Sequence, residues 1–498
     1  MEQPNLESIR LKEAFTLKEK KIKIECKTDI PIENLGKALD LTVFINGVKD
    51  KVTEGALELT AKATFNLIYI NEGLKKTEIE TEFTEVLNDK NLTQDKKVKS
   101  NFRIEKTGVE GQTTALFYAY VVIESTVMSE KTVECYLGDD DVAINTISTD
   151  YVKSYGERTF DYPVEEEFDL SYPVGEVLSH QGKVVITGVQ CGVGTLIIDG
   201  EYLLSALFLQ NDEKSDIIKI ERSFPFRAET EYDSCMPSMH ATSLSNVKSQ
   251  NIDVIVDPET GKSIVKASAV ISFISQAYSE ETANITIDAF SVNNASEQTF
   301  EEHSFEQPDC FKTIKTKLGG RVETDAFEGT VIQAVAGETV EITEIKKADG
   351  GISIVGVLSV KCFIKSEDGT YSSRRLETPF EEYLAVDVCD IDRLQIYAVA
   401  TKGGVRPVSY TEAEIGADVV FTLRSCVNKK IKYLKNLVLT TPKKRVDCAI
   451  SVYIARKDED LWSLSKRLNV HPEELEKTNP ELQFPLTGDE RIIIYRGK

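Results

Sequence analysis

The residues able to do acid-base, nucleophilic or metal chemistry are few and far apart in this chain. Four histidines, His180, His240, His303 and His471, stand in separate segments, so a histidine metal site or a catalytic triad would need distant segments to converge. His240 follows Cys235-Met-Pro-Ser-Met239; the residue types suit a Cys/His nucleophile pair or a metal site, and equally a turn holding a buried thiol. Gly188, Gly192 and Gly194 surround Cys191 without the Lys-Ser/Thr or the following helix of a phosphate loop, which reads as a strand turn. Asp139-Asp-Asp141 and Glu165-Glu-Glu167 read as solvated linkers rather than calcium loops or carboxylate dyads. With no acid, base and nucleophile visibly converging, the expected class is non-enzymatic, without cofactor or metal.

Composition narrows the partners. The 82 Asp and Glu against 59 Lys and Arg leave a formal charge of −23, which repels phosphate backbones and argues against nucleic acid. A protein or a neutral sugar is the expected ligand. Nine cysteines, odd in number and without a CxxC pair, suggest buried free thiols in a reducing compartment. No stretch reaches the roughly 18 apolar residues of a membrane span, and Met-Glu-Gln-Pro-Asn-Leu-Glu lacks the basic-then-apolar order of a signal peptide. The expectation is a soluble cytosolic protein with no transmembrane segment. One run departs from the acidic balance: Lys429, Lys430, Lys432, Lys435, Lys443, Lys444 and Arg445 occur with no acidic residue between Asn428 and Val446. Such a run could dock an acidic partner, the chain's own acidic surface or an anionic membrane, or it could be a solvated strand edge protected from pairing by lysine.

The elements that position these residues repeat. At 498 residues and 41% apolar content, the chain is long enough for about two to four domains, and one pattern recurs three times at a period of about 150 residues. Each copy has a β-hairpin: Ala61–Ile70 returning to Phe83 through Asn71-Glu-Gly73, Glu201–Leu209 returning to Phe226 through Asn211-Asp-Glu213, and Val357–Ile364 returning to Phe380 through Glu367-Asp-Gly369. A later strand recurs as Thr114–Ile123, Val265–Ile274 and Ile415–Leu423. Alternating runs with little helical periodicity predict three antiparallel β-sandwich or barrel-like domains, over 1–150, 160–292 and 304–440. Joins are expected near 146–161, 292–307 and 440–448, where Asn, Ser, Thr or Lys-Lys-Arg replace the alternation. Copy one begins near Phe15, and the first fourteen residues form a short lead with helix as its candidate form.

Residues 448–498 follow a different plan. Ala449–Ala455 alternates as a strand, and Asp458 and Asp460 are candidate caps for a helix from Leu461 to Leu468 in which Leu461, Leu464, Ser465 and Leu468 share a face. A second helix starts at Pro472, carries Glu473 and Glu474 in its first turn and ends near Asn479-Pro480; Arg491–Tyr495 closes the sheet. Trp462, the single tryptophan, reads either as a sugar-stacking or hot-spot aromatic or as a half-buried core residue.

The run Asp460–Val470 with Pro472-Glu-Glu-Leu475, Thr478-Asn-Pro480 and Pro485-Leu-Thr-Gly488 resembles the LysM domain, a βααβ module that binds N-acetylglucosamine polymers. The resemblance implies a groove between the loops Lys457–Leu461 and Asn479–Phe484, so that Asp458, Glu459, Asp460, Leu461, Trp462, Asn479, Pro480, Glu481 and Leu482 are its candidate binding residues. This chain has Asp458-Glu459 where the family has Gly-Asp, and Tyr495 where the family has proline. A groove edged by carboxylates suits sugar hydroxyls or a basic patch on a protein. The second copy, through Gly182–Gly188, the hairpin Tyr202–Phe226 and the strand Lys266–Phe273, is similar to the SPOCS domain. A SPOCS domain followed by a terminal LysM domain resembles the SipL-like spore coat morphogenetic proteins. That resemblance implies a sporulation scaffold in the mother cell, at the forespore surface, recruiting the coat basement-layer ATPase SpoIVA through LysM. The alternative is a peptidoglycan-binding wall or cortex protein.

Overall fold

The computed structural model describes residues 6–94, 96–139, 141–170, 173–210, 216–257, 259, 262–324, 330–444 and 450–495. No described helix is long and apolar enough to cross a membrane. Alternating apolar residues place about 77% of the residues in strands, paired antiparallel, so the predicted mainly β class is what forms, with two short helices near the C-terminus.

The first repeat holds β1 (Leu6–Thr16), β2 (Lys20–Pro31), β3 (Lys37–Thr53), β4 (Ala56–Ile70), β5 (Leu74–Asn88), β6 (Lys97–Glu110) and β7 (Thr114–Tyr136). The second holds β8 (Val142–Leu170), β9 (Val174–Cys191), β10 (Thr195–Gln210), β11 (Ile217–Glu231), β12 (His240–Val256) and β13 (Ser263–Ser291). The third holds β14 (Asn294–Glu323), β15 (Thr330–Ala348), β16 (Gly351–Ser366), β17 (Tyr371–Leu384), β18 (Gln395–Ser409) and β19 (Glu412–Pro442). Each repeat folds as a lobe of two three-stranded layers, and the second layers of lobes one and two are continuous as one seven-stranded sheet through β1, where Leu11 pairs with Lys153 of β8. One sheet is a meander, β3-β4-β5, β9-β10-β11 or β15-β16-β17, and the other is β2-β7-β6, β8-β13-β12 or β14-β19-β18. Inward residues of the two sheets fill a separate core in each lobe, around Phe65 and Phe117, around Tyr202 and Phe273, and around Leu358 and Phe421.

The joins expected near 146–161 and 292–307 are strands. Strands β8, β13, β14 and β19 run for 29, 29, 30 and 31 residues, and beyond their lobes they pair as two-stranded ribbons. β1 pairs with the end of β7 from Leu6↔Tyr136 to Thr16↔Thr126, the start of β8 pairs with the end of β13, and the start of β14 pairs with the end of β19. Of the lead before Phe15, residues 6–14 are strand and not helix, because their backbone groups complete the first ribbon, and residues 1–5 lie outside the described residues. The three ribbons pack into a stalk whose core draws Ile9, Val133 and Cys135 from the first, Tyr151, Ala283 and Ile285 from the second, and Phe305, Ile431 and Tyr433 from the third. Of the join expected at 440–448, residues 440–442 belong to β19 and 445–448 lie outside the described residues.

The lobes also meet one another. Ala61, Gly200 and Gly356 pair with Phe83, Phe226 and Phe380 in the three hairpins. Ile68, Leu207 and Phe363, at matching positions further along, share one core with Leu39, Leu178, Ile217, Ala334 and Tyr371. Equivalent residues converging from all three copies make a closed ring. The copy-two position must stay small: a Cβ on Gly200 would lie 2.5 Å from the Phe226 ring and 2.6 Å from the Val185 carbonyl oxygen.

Candidate functional site

The C-terminal unit is β20 (Ile450–Ile454), α1 (Leu461–Leu468), α2 (Pro472–Thr478) and β21 (Arg491–Tyr495). Asp460 caps α1: its carboxylate accepts from the Ser463 N–H at 2.8 Å and from the Ser463 hydroxyl at 2.7 Å, and these bonds hold its pKa below the ordinary value. Asn469 ends α1 in the left-handed conformation, and α2 opens on Pro472 with Glu473 and Glu474 in its first turn. Leu464, Leu475, Leu486, Ile492 and Ile494 form the unit's own core.

The two candidate groove loops lie at the surface, but their residues do different jobs. Asp458, Asp460, Pro480 and Glu481 are exposed. Asp458 has φ 63°, so it adopts the backbone conformation that glycine favours, and aspartate is among the few residues that tolerate it. Glu459 turns inward to pair with Arg467 and to accept from the Arg456 N–H at 2.9 Å. Asn479 is buried and ties α2 to β21, donating to the Leu475 and Ile493 carbonyls at 2.9 and 2.8 Å and accepting from the Ile493 N–H at 2.7 Å. Leu461 and Leu482 pack against the core. Glu490 fastens the Thr487-Gly488 turn, and the bonds it accepts from Thr487 lower its carboxyl to about 2.

Trp462 sits neither in the unit's core nor over an open groove. Its indole N–H donates to Asp288 at 2.8 Å, and its ring meets Phe290 edge-on at 5.1 Å between centroids. Lys466, one turn further along α1, pairs with the same carboxylate at 2.7 Å. Lys443 donates to Asn469 and, at 2.7 Å, to the Ser291 carbonyl. The unit is thus seated on the end of the second ribbon through α1. Burial pushes the Asp288 carboxyl up, but hydrogen bonds from Lys466, Trp462 and Gln298 outweigh it and hold the group below its ordinary value.

The basic run is distributed along the third ribbon and this junction. Lys430 pairs with Glu302 at 3.1 Å, Lys435 with Glu301 at 2.6 Å, and Lys432 lies over the Phe300 ring at 5.3 Å. Of the occupants considered for this run, the chain's own acidic strand takes these pairs. Lys429 and Lys444 are exposed, and Arg445 lies outside the described residues.

Sequence reasoning missed the outward face of the small sheet. Ile450 faces Tyr495 and Val452 faces Ile493 across the ladder, and with Ile454 they are 56%, 58%, 60%, 38% and 61% exposed in the order Ile450, Tyr495, Val452, Ile493, Ile454. The alternation read from sequence was right, yet in β20 its apolar side points away from the helices, leaving Ser451 and Tyr453 inward. The signal was present in the triple Ile-x-Val-x-Ile, whose burial side the pattern alone does not fix.

The remaining chemistry is dispersed. A cleft of about 160 Å³ between lobes two and three is lined by His240, Tyr278, Asp309, Cys310, Arg424 and Cys426. His240 stacks on Tyr278, and Asp309 accepts from the Cys389 N–H and the Ser425 hydroxyl. No group of three His, Cys, Asp or Glu that could hold a metal ion occurs among the described residues. Compared with family models, curated proteins and solved structures, the chain has no match.

Proposed function

We propose that this chain is a non-enzymatic sporulation scaffold of the SipL-like kind, in which the ring and stalk carry a LysM-like head that captures the coat basement-layer ATPase at the forespore surface in the mother cell. The observation that carries a protein partner is the exposed face of Ile450, Val452, Ile454, Ile493 and Tyr495. A neutral glycan is held by polar groups and stacked rings, whereas five aliphatic and aromatic side chains on a flat two-stranded sheet match the apolar centre of a protein interface. Of the groove candidates, Glu459, Asp460 and Asn479 serve the unit's own fold, and Trp462 is engaged by Asp288.

The test is co-purification from sporulating cells with full-length chain. The paired substitutions V452D and I493D should abolish capture of the ATPase, while D458A with E481A should leave it intact. Capture that survives the first pair and fails with the second, together with retention on insoluble peptidoglycan that depends on Asp458 and Glu481, would establish glycan binding instead.

A further inference from the structure

Cys191 ends β9 and Cys235 stands in the turn after β11, a separation of 44 residues, yet their sulfur atoms lie 3.2 Å apart. The turns that carry them are pinned together. Gly194 N–H donates to the Cys235 carbonyl at 2.9 Å, Tyr232 N–H to the Gly194 carbonyl at 2.9 Å, and Cys235 N–H to the Tyr232 carbonyl at 2.7 Å. The Tyr232 hydroxyl in turn donates to the Gly156 carbonyl at 2.7 Å, which anchors the turn to β8. Cys235 is fully buried and Cys191 is partly exposed, so a reagent in solution meets Cys191 first. A disulfide needs the sulfurs to close to about 2.05 Å, a shift of roughly 1 Å between turns already in register.

We propose that Cys191 and Cys235 are a modification site that forms an intramolecular disulfide by exchange with an oxidised small-molecule thiol such as glutathione disulfide, with Cys191 as the point of entry. In the first step the Cys191 thiolate attacks one sulfur of glutathione disulfide; that S–S bond breaks, a mixed disulfide forms on Cys191 and one glutathione leaves as thiolate. In the second, the Cys235 sulfur attacks the Cys191 sulfur, the mixed S–S bond breaks, and the departing glutathione thiolate takes up the Cys235 proton. Two protein thiols are oxidised and one glutathione disulfide is reduced to two glutathiones. Burial, with the hydrogen bond to Cys191, pushes the Cys235 thiol up, so Cys235 is the poorer nucleophile and reacts second. The product fixes the turn that leads into His240, on the wall of the cleft between lobes two and three.

The experiment uses the full-length reduced chain, incubated with glutathione disulfide, alkylated and digested with trypsin without reduction. The expected product links the peptides spanning 184–214 and 228–248, is preceded in time by glutathione on Cys191, and raises the melting temperature by a few degrees. Cys235→Ser should stop at the mixed disulfide, and Cys191→Ser should leave Cys235 unmodified. Full alkylation of both thiols after prolonged exchange, linkage of either to a different cysteine, or glutathione on Cys235 in the Cys191→Ser chain would each overturn the proposal. Peptide mapping of the unsubstituted chain decides the matter even where Cys235→Ser loosens the lobe.

Discussion

The meander sheets of the three lobes and the small sheet of the C-terminal unit present opposite surfaces. On the edge strands β5, β11 and β17 of the lobes most exposed positions are charged or polar, among them Glu78, Glu80 and Glu82, Arg227, Glu229 and Glu231, and Arg375, Glu377 and Glu381, with Val86 and Tyr383 as apolar exceptions. On β20 and β21 the exposed positions are Ile450, Val452, Ile454, Ile493 and Tyr495. Solubility alone would favour the first pattern everywhere, and charged outward residues discourage edge pairing. The lobes break that rule at scattered positions such as Val86, Val193 and Tyr410, whereas the smallest unit breaks it with five residues gathered on one face of one sheet, and that clustering is what marks a binding surface.

The sharpest break in this comparison comes from moving the lobe pattern onto the small sheet. V452D or I493D alone should weaken partner binding by more than about 100-fold, because a carboxylate would be buried at the centre of the contact; surface-immobilised partner measures it, and E80K or E229K in the lobes should change binding less than about twofold. Asn479→Ala comes next: it strips three hydrogen bonds from buried backbone and should cost the unit about 2–4 kcal/mol by denaturant unfolding. Trp462→Ala should cost about 2 kcal/mol of junction stability, read as faster hydrogen exchange in α1.

The junction also responds to pH. Since the Asp288 carboxyl is held below its ordinary 3.8, its contribution is present in full above that value and is lost as pH falls through the lower folded-state pKa. Trp462, the single tryptophan, reports this directly. Its emission should stay constant from neutral pH down to about 4 and shift red below, whereas D288N should shift it at pH 7. Smaller still, Asp460→Ala removes the α1 cap and should cost about 1 kcal/mol. Lys430→Glu with Lys435→Glu breaks two exposed pairs, each worth about 0.5 kcal/mol, and should leave partner capture unchanged.

Much of this architecture was legible in the amino acids. The three hairpins, the later strand that recurs in each copy, the Asp460 cap, the α1 span and the Pro472 start all follow from local chemistry that the surroundings reinforce. The stalk was not legible, because a ribbon packed in a bundle of three buries few of its side chains. Ile144-Asn-Thr-Ile-Ser-Thr-Asp150 is a strand held by β13 along its length, yet its Asn, Ser and Thr carry the composition of a loop. The seating of Trp462 was equally hidden: it depends on Asp288 and Phe290, 174 residues away for the first, and no local pattern announces such a pair. For the groove, sequence spacing located the loops but not which carboxylates are already spent on caps and turns.

The three contacts that close the ring are chemically distinct. Between lobes one and two, Asn66 and Lys76 donate to the Leu178 and Val177 carbonyls at 3.1 and 3.3 Å; between one and three, Asp40 pairs with Lys361; between two and three, Glu338 is held by Lys183 and Lys219, and Asp216 by Lys365 at 2.8 Å. The ring therefore has a direction. A circular permutant that runs two, three, one keeps every donor facing its acceptor, whereas a chain with copies two and three exchanged sets Lys361 against a neighbour lacking Asp40 and strands Glu338 without its lysines, so the threefold likeness of the lobes does not make them interchangeable parts.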